Sequence, residues 1–344
     1  VRSHPLAATA GSLEQRSRSR LSTRVALAFA ACVAALLLGG VPGAKAATAV
    51  NSYGSSGLPL FSVDPSRADT SGSGDLAVSS STGNIFVPEH LWGDFIVFKP
   101  DAGLGGQQIA TADVISANGV DVSSLAVDPG DDTVYVADSI YTFGLVKMVS
   151  DGQPTPTYTW DPSFAPPTSS FGGFGGMAVV PGTGDLFVVD NGNNRVVKLA
   201  SSDGNELFSV GGFQGARSVA AGPSGAFYVV DYAARRVESF AADGTPQADL
   251  PLPSDAQPSA ITANSVTGEV AVAIQRHGQS YIAGFAADGT PKFTARVTAA
   301  INPPGNAITG IAWDGGSGRI YVSTLSSGGA PGSVATFIPA WQPG

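Results

Sequence analysis

The chain has 344 residues, 43% of them hydrophobic and 13% charged, with 44 glycines, 24 prolines, one cysteine and a net charge of −9 at pH 7. A single cysteine excludes a disulfide framework within the chain, so stability must come from a packed core, for which this length suffices. The acidic balance argues against nucleic acid as a partner, because phosphate neutralisation by Lys and Arg supplies most of that affinity.

The first feature in chain order is a targeting signal. Arg16, Arg18, Arg20 and Arg24 lead into an apolar run, residues 25–38, followed by Gly39-Gly40 and then Ala44-Lys45-Ala46. A basic segment, an apolar segment shorter than the ~20 residues of a spanning helix and an Ala-x-Ala site predict a signal peptide, residues 1–46, cleaved after Ala46. The protein is therefore expected outside the cytoplasm, in the cell envelope or secreted, with no stable membrane anchor. Cys32 lies inside the apolar run, so residues 47–344 contain no cysteine. They hold 12 basic and 26 acidic side chains, a net charge of −14.

From residue 76 onward one pattern recurs six times: a short apolar strand, a turn led by Gly or Asp, and a second strand of alternating apolar residues. The openings are Leu76-Ala77-Val78, Leu125-Ala126-Val127, Met177-Ala178-Val179, Val219-Ala220-Ala221, Ile261-Thr262-Ala263 and Ile311-Ala312-Trp313, spaced by 49, 52, 42, 42 and 50 residues. Each leads into a second strand, as in Asp185-Leu186-Phe187-Val188, and no helical period competes. A period of ~40–50 residues with several strands per unit predicts an all-β fold, a six-bladed β-propeller of four-stranded antiparallel blades. An unjoined ring would expose two strand edges. Residues 58–63 resemble the outer strand of the third repeat, Leu207-Phe208-Ser209-Val210, whereas the last repeat ends at residues 333–338, which read as its third strand. The N-terminal strand, residues 58–63, is thus expected to complete the sixth blade and make residues 47–344 one domain.

Asp151-Gly152, Asp203-Gly204, Asp243-Gly244 and Asp288-Gly289 fall between the third and fourth strands of repeats two to five, where hairpins need such residues. Residues 151–176, with five prolines and Phe171-Gly172-Gly173-Phe174-Gly175-Gly176, and residues 302–306 are less regular. Both are expected as longer inter-blade loops, the first a plain connection or, in the alternative, an aromatic lid.

The third repeat reads Gly184-Asp185-Leu186-Phe187-Val188-Val189-Asp190-Asn191-Gly192-Asn193-Asn194-Arg195-Val196, and on this stretch the chain resembles the NHL-repeat family of β-propellers. The fourth repeat keeps Asp231 and Arg236 but carries Ala234-Arg235 in place of the Asn pair, and the second keeps Asp138. Glu89, Ile274 and Thr324 stand at the Asp position in the others. The resemblance implies that the Asp accepts hydrogen bonds from its own loop and that the Arg braces a neighbouring blade. This gives Asp138, Asp190, Arg195, Asp231 and Arg236 a structural role. It also implies a monomeric module that binds a protein or small-molecule ligand on one rim.

The catalytic inventory is thin. Residues 47–344 contain two histidines, His90 and His277, so the three-His zinc site of the NHL-type amidating lyases cannot be built. Each follows the second strand of its repeat, at the rim propellers use for ligands, and is a candidate ligand-binding or acid-base group. No Gly-x-Ser-x-Gly elbow, His-Glu-x-x-His motif or phosphate-binding glycine loop is present.

Similarity to the six-bladed calcium hydrolases of the gluconolactonase and phosphotriesterase type supplies the alternative, an ion held in the central tunnel by hard oxygen ligands. The positions closing the first strands are Ser79, Asp128, Val180, Gly222, Asn264 and Asp314, of which Asp128, Asn264 and Asp314 are candidate metal ligands. An Asp or Asn before Pro or Gly, as in Asp128-Pro129 and Asp314-Gly315, is also what a turn needs. The remaining candidate is Arg217, two residues before the fourth opening, where the other repeats carry Gly74, Ser123, Gly175, Ser259 and Thr309. A guanidinium among small residues at the channel mouth suits a carboxylate or phosphate ligand. The expectation is a non-enzymatic binding module without a cofactor; the alternative is a calcium-dependent hydrolase or lyase acting on a small molecule.

Overall fold

A computed structural model describes residues 48–52, 76–89, 94–100, 106–114, 122–138, 144–297, 308–324 and 333–338. The predicted signal segment, residues 1–46, together with residues 58–63, His90 and residues 302–306, lies outside the described residues. The regular structure of the described residues is strand, with single 3-10 turns at Thr168–Ser170 and Asn191–Asn193. Among the described residues no helix is long and apolar enough to cross a membrane.

The strands form antiparallel meanders that follow the sequence repeats. Sheet I holds Ala77–Val78, Ile85–Glu89, Asp94–Pro100 and Gly106–Asp113, and sheet II holds Ser124–Val127, Val134–Ala137, Leu145–Ser150 and Tyr158–Trp160. Sheet III holds Phe174–Val179, Leu186–Asp190, Arg195–Leu199 and Glu206–Gly211; sheet IV holds Ala216–Ala221, Phe227–Asp231 and Arg236–Phe240. Sheet V holds Gln257–Ala263, Val270–Arg276, Gln279–Phe285 and Pro291–Arg296, and sheet VI holds Ile308–Trp313, Ile320–Thr324 and Ser333–Ile338.

Two features depart from the expectation of uniform four-stranded blades. Sheet IV has three strands. Beyond Phe240 the chain still bonds back to the third strand, through Gln247 N–H to Ser239 O and Leu250 N–H to Val237 O, but only an isolated bridge, Phe240 with Pro246, forms. Pro246, Pro251 and Pro253 lack the donor a ladder needs, so the fourth strand does not develop. The strand that pairs with Ser333–Ile338 in sheet VI is Thr48–Ser52, antiparallel to it; the expected closing strand, residues 58–63, lies outside the described residues.

The core lies between sheets. Second strands such as Leu186–Asp190 and Phe227–Asp231 are buried at every position, because each sheet is covered on both faces. Alternation along the strand therefore assigns residues to two different neighbours: Leu186 and Val188 pack towards sheet II, Phe187 and Val189 towards sheet IV. Phe187 stacks on Phe227 at 4.3 Å and Phe227 on Phe240 at 4.9 Å, joining sheets III and IV. Leu76 and Ile85 of sheet I pack with Ala312 and Tyr321 of sheet VI, so the first repeat meets the last. Each fully buried Phe, Leu or Val in these seams contributes roughly 1.5–3 kcal/mol.

The segment before sheet III forms no aromatic lid. Phe164, Phe171 and Phe174 are all buried, in one cluster with Tyr135 and Met177. Their role is to fill the seam between sheets II and III.

Candidate functional site

The first strands of the six sheets surround a central channel of about 110 Å³, lined at the positions of the opening motifs. Ala77, Ala126, Ala178, Ala220, Thr262 and Ala312 stand at the middle of each motif, and the polar lining comes from hydroxyls such as Ser80, Ser218 and Ser265. Among the described residues that line it, none is charged. Small side chains here let neighbouring first strands approach closely: a Cβ on Gly175 would sit 2.9 Å from the Arg217 carbonyl oxygen and 3.0 Å from Val189 Cγ1.

At one end of the channel the three predicted metal ligands serve their own turns. Asp128 Oδ1 accepts from Gly130 N–H at 2.8 Å, and Asn264 Oδ1 accepts from the N–H groups of Val266 and Thr267 at 2.9 Å each. Asp314 Oδ1 accepts from Gly316 N–H at 2.9 Å, and its Oδ2 accepts from the Ser317 hydroxyl. The same turns stitch sheets together. Ser80 Oγ lies 2.8 Å from Ser265 Oγ and accepts from Gly315 N–H at 2.9 Å, linking sheets I, V and VI. Buried Asp132 accepts from Thr82 Oγ1 and Asn84 Nδ2 at 3.0 Å each, linking II to I.

Calcium requires about six to eight oxygen ligands. Asp128, Asn264 and Asp314 are committed to turn donors, none is among the channel-lining residues, and among the described residues no three His, Cys, Asp or Glu side chains cluster to hold a metal ion. In this arrangement the three do not fit a tunnel calcium ion.

Burial raises the Asp128 carboxyl above its ordinary value of 3.8, the charges of Asp131 and Asp132 add to this, and Gly130 N–H and Lys147 oppose it. The native state therefore binds this proton more tightly than the unfolded chain does. The proton's contribution to stability is present at low pH and is lost as pH rises from 3.8 through the raised native value. Asp128→Asn keeps an oxygen for Gly130 and removes the charge. It should raise Tm at pH 7 by ~2 °C, with the gain vanishing near pH 3 in pH-dependent thermal melts. A lower Tm at pH 7 would show that the charge is needed there.

The opposite rim, where second strands end and third strands begin, holds the Asp and Arg positions of the repeat. Asp190, fully buried, accepts from Gly172 N–H at 2.9 Å, Asn193 Nδ2 at 2.8 Å and Arg195 Nε at 2.8 Å. Arg195 also donates to Ser170 O at 3.1 Å and lies over the Phe171 ring at 5.6 Å, so it fastens the loop leading into its own sheet, where a neighbouring blade was expected. Asn194 takes a left-handed φ of 49°, which asparagine tolerates well. Asp231, also fully buried, accepts from the N–H groups of Gln214, Gly215 and Ala234. Arg236 turns instead to Glu238 at 2.8 Å and Asp249 at 3.9 Å. Asp138 is fully buried, with its N–H donating to Gly144 O.

Arg217 differs from these. The register between first and second strands shifts at the same place in sheets III to VI, between Phe174 and Met177, Ala216 and Ser218, Pro258 and Ala260, and Ile308 and Gly310. Such a bulge re-aims the extra side chain. At Ser259 and Thr309, and at the matching Ser123, the hydroxyl donates to a carbonyl of the second strand fourteen positions on, at 3.4, 3.4 and 2.8 Å. In sheet IV the bulge carries Arg217, half-buried, whose guanidinium carbon lies 4.9 Å from the centroid of the exposed Tyr232 ring. No carboxylate partners it among the described residues.

A line of contacts runs outward from Tyr232. Its carbonyl accepts from Gln257 Nε2 at 2.8 Å, and Arg235 donates to the carbonyls of Asp255 and Ala256 at 3.0 and 3.4 Å. Asp255 accepts from Arg276 Nε at 2.8 Å, a hydrogen bond that holds its carboxyl below the usual range. His277 reaches Asp255 at 3.5 Å, with its side chain 81% exposed. With φ values of 47° and 70°, His277 and Gly278 form the two-residue turn between Arg276 and Gln279, a role that accounts for their placement. Tyr232, Arg235 and Arg296 were not among the predicted ligand residues. Ala234-Arg235 did stand out as the break in the repeat pattern; nothing in the sequence marked the other two.

No protein-family model matches the chain, and no curated protein matches it in sequence. Solved structures do. U3-55K superposes with a TM-score of 0.51 at 10% identity over 77% of this chain and 94% of that one. The WD40 repeats of RRP9 give 0.50 at 11% identity over 77% and 93%. A functionally unknown protein from Desulfotomaculum acetoxidans gives 0.51 at 13% identity over 76% and 88%. At these identities the likeness concerns fold alone, and together with the sheet order and the channel it identifies the chain as a β-propeller.

Proposed function

We propose that the chain is an exported, six-bladed NHL-like propeller, closed by its N-terminal strand, that acts as a non-enzymatic binding module. Its ligand, on a protein or a small molecule, presents an anionic group to Arg217. The observation that carries this reading is the state of that guanidinium: half-buried, set out by a bulge, resting on Tyr232 and without a carboxylate partner among the described residues. A partly desolvated cation in this state gains most from a charge-assisted bond to a carboxylate or phosphate. The apolar and hydroxyl lining of the channel supports a scaffold over a metal-assisted hydrolase.

Six repeats, and a seam between the first and the last, support the blade count. The Asp190 to Arg195 motif supports the NHL likeness, and residues 16–46 support export. Propellers host binding and catalysis alike, so the assignment rests on the site. Thermal unfolding of the purified protein with excess calcium, and again with a chelator, tests it. Only a ligand of the native state raises stability, and Tm is expected to agree within about 1 °C between the two. A calcium-dependent rise of several degrees would favour the hydrolase instead.

A further inference from the structure

The described arginines of this acidic protein are concentrated on one rim. Of the seven described arginines, six lie on the rim of Arg217 in sheets III to V: Arg195, Arg217, Arg235, Arg236, Arg276 and Arg296. Strand direction places them there. Arg195 and Arg236 begin third strands, Arg235 precedes one, Arg276 ends a second strand, and Arg296 pairs with Tyr281 near the start of a third. The seventh, Arg319, sits on the opposite rim, with turn residues Asp128, Asp203, Asp243, Asp288 and Asp314.

The described carboxylates on or reaching this rim in sheets III to V are already taken: Asp190 and Glu206 by Arg195, Glu238 and Asp249 by Arg236, Asp255 by Arg276 and His277, and Asp231 by the N–H groups of Gln214, Gly215 and Ala234. Three guanidiniums of this rim have no carboxylate partner among the described residues. Arg217 has only the Tyr232 ring, Arg235 only backbone carbonyls, and Arg296 only the neutral Gln279 side chain. They belong to one surface. Arg235 bonds to the backbone at Asp255, Asp255 pairs with Arg276, and Arg276 faces Gln279, which accepts from Arg296.

We infer that this rim docks an acidic segment of a partner protein, whose successive carboxylates engage Arg217, Arg235 and Arg296. The inference rests on the binding-module reading and extends its single anion to a row. Carboxylates are favoured over a phosphate polymer because the arginines of this rim already pair with carboxylates. Exposed Tyr232 adds an aromatic surface for the peptide beside Arg217.

The probe is fluorescein-labelled hexaglutamate, titrated by anisotropy into the purified protein, with hexalysine as the control peptide. Salt-sensitive binding of hexaglutamate alone is expected. Arg217→Ala should weaken it about tenfold or more, and Arg235→Gln and Arg296→Gln about two- to fivefold each. Arg319→Gln on the other rim should leave it unchanged, and unchanged melting curves would show that each variant folds. Loss with Arg217→Ala but not with Arg235→Gln or Arg296→Gln would overturn the acidic-segment inference and leave the single-anion site standing. Indifference to all three variants would overturn both, and absence of any hexaglutamate binding would overturn the inference. Stronger competition by inorganic polyphosphate than by unlabelled hexaglutamate would overturn it in favour of a phosphate polymer. Concentration-dependent association of the protein that excludes the peptide would assign the rim to a second copy of the chain.

Discussion

Asp190→Ala should lower the unfolding free energy by about 3–5 kcal/mol, the cost of breaking a buried charge cluster by removing one partner. Three donors converge on this carboxylate, from Gly172, Asn193 and Arg195, and its side chain is fully buried. Alanine would leave the Gly172 N–H and Arg195 Nε without their acceptor. The loop that carries Phe171 into the seam between sheets II and III would lose its anchor. A fall in Tm on the order of 10 °C is expected in a thermal melt. Asp190→Asn should recover part of it, since the amide oxygen can still accept from one donor. A fall of only a degree or two in the alanine variant would mean that the cluster does not organise the loop.

The second large effect is steric. Gly192 lies in the turn Asn191–Asn193, and a Cβ there would come 2.3 Å from the Gly172 carbonyl oxygen and 2.6 Å from its carbonyl carbon. Backbone cannot move aside as a flexible side chain can, so Gly192→Ala must displace one of the two loops. Overpacking of this kind costs ~1–3 kcal/mol, and contact with main chain places it at the upper end. A denaturant midpoint lowered at unchanged m-value is the expected reading. An unchanged midpoint would show that the two loops are not held in contact in solution.

The fold was legible because its period is strong. Six openings of the type Leu125-Ala126-Val127 gave the sheet order, and the Asp-Gly pairs at 203, 243 and 288 fell in turns where Gly204, Gly244 and Gly289 take positive φ. Simple alternation did not reveal that Leu186 and Phe187 serve different neighbours, because burial on both faces is a property of the ring and not of the strand. The missing fourth strand of sheet IV could have been read from Pro246, Pro251 and Pro253, each of which removes a donor where a ladder would need one.

The site was half legible. Arg217 stood out as a large cation among small residues, but the bulge that sets it out is a local irregularity in the pairing of two strands, which the first strand's residues do not show by themselves. The metal candidates misled because an Asp that opens a turn and an Asp that binds an ion look alike until its hydrogen bonds are known. Arg296 joins the rim only because a fourth strand returns beside a third, a juxtaposition fixed by the sheet.

Backbone hydrogen exchange with and without hexaglutamate tests the central claim most directly, that ligands meet this propeller on the arginine rim. Slower exchange at residues 232–236 and 277–279, with the Asp-Gly turns around 203, 243 and 288 unaffected, is the predicted result. Protection at those turns instead, or binding that leaves 232–236 exchanging at its free rate, would contradict it.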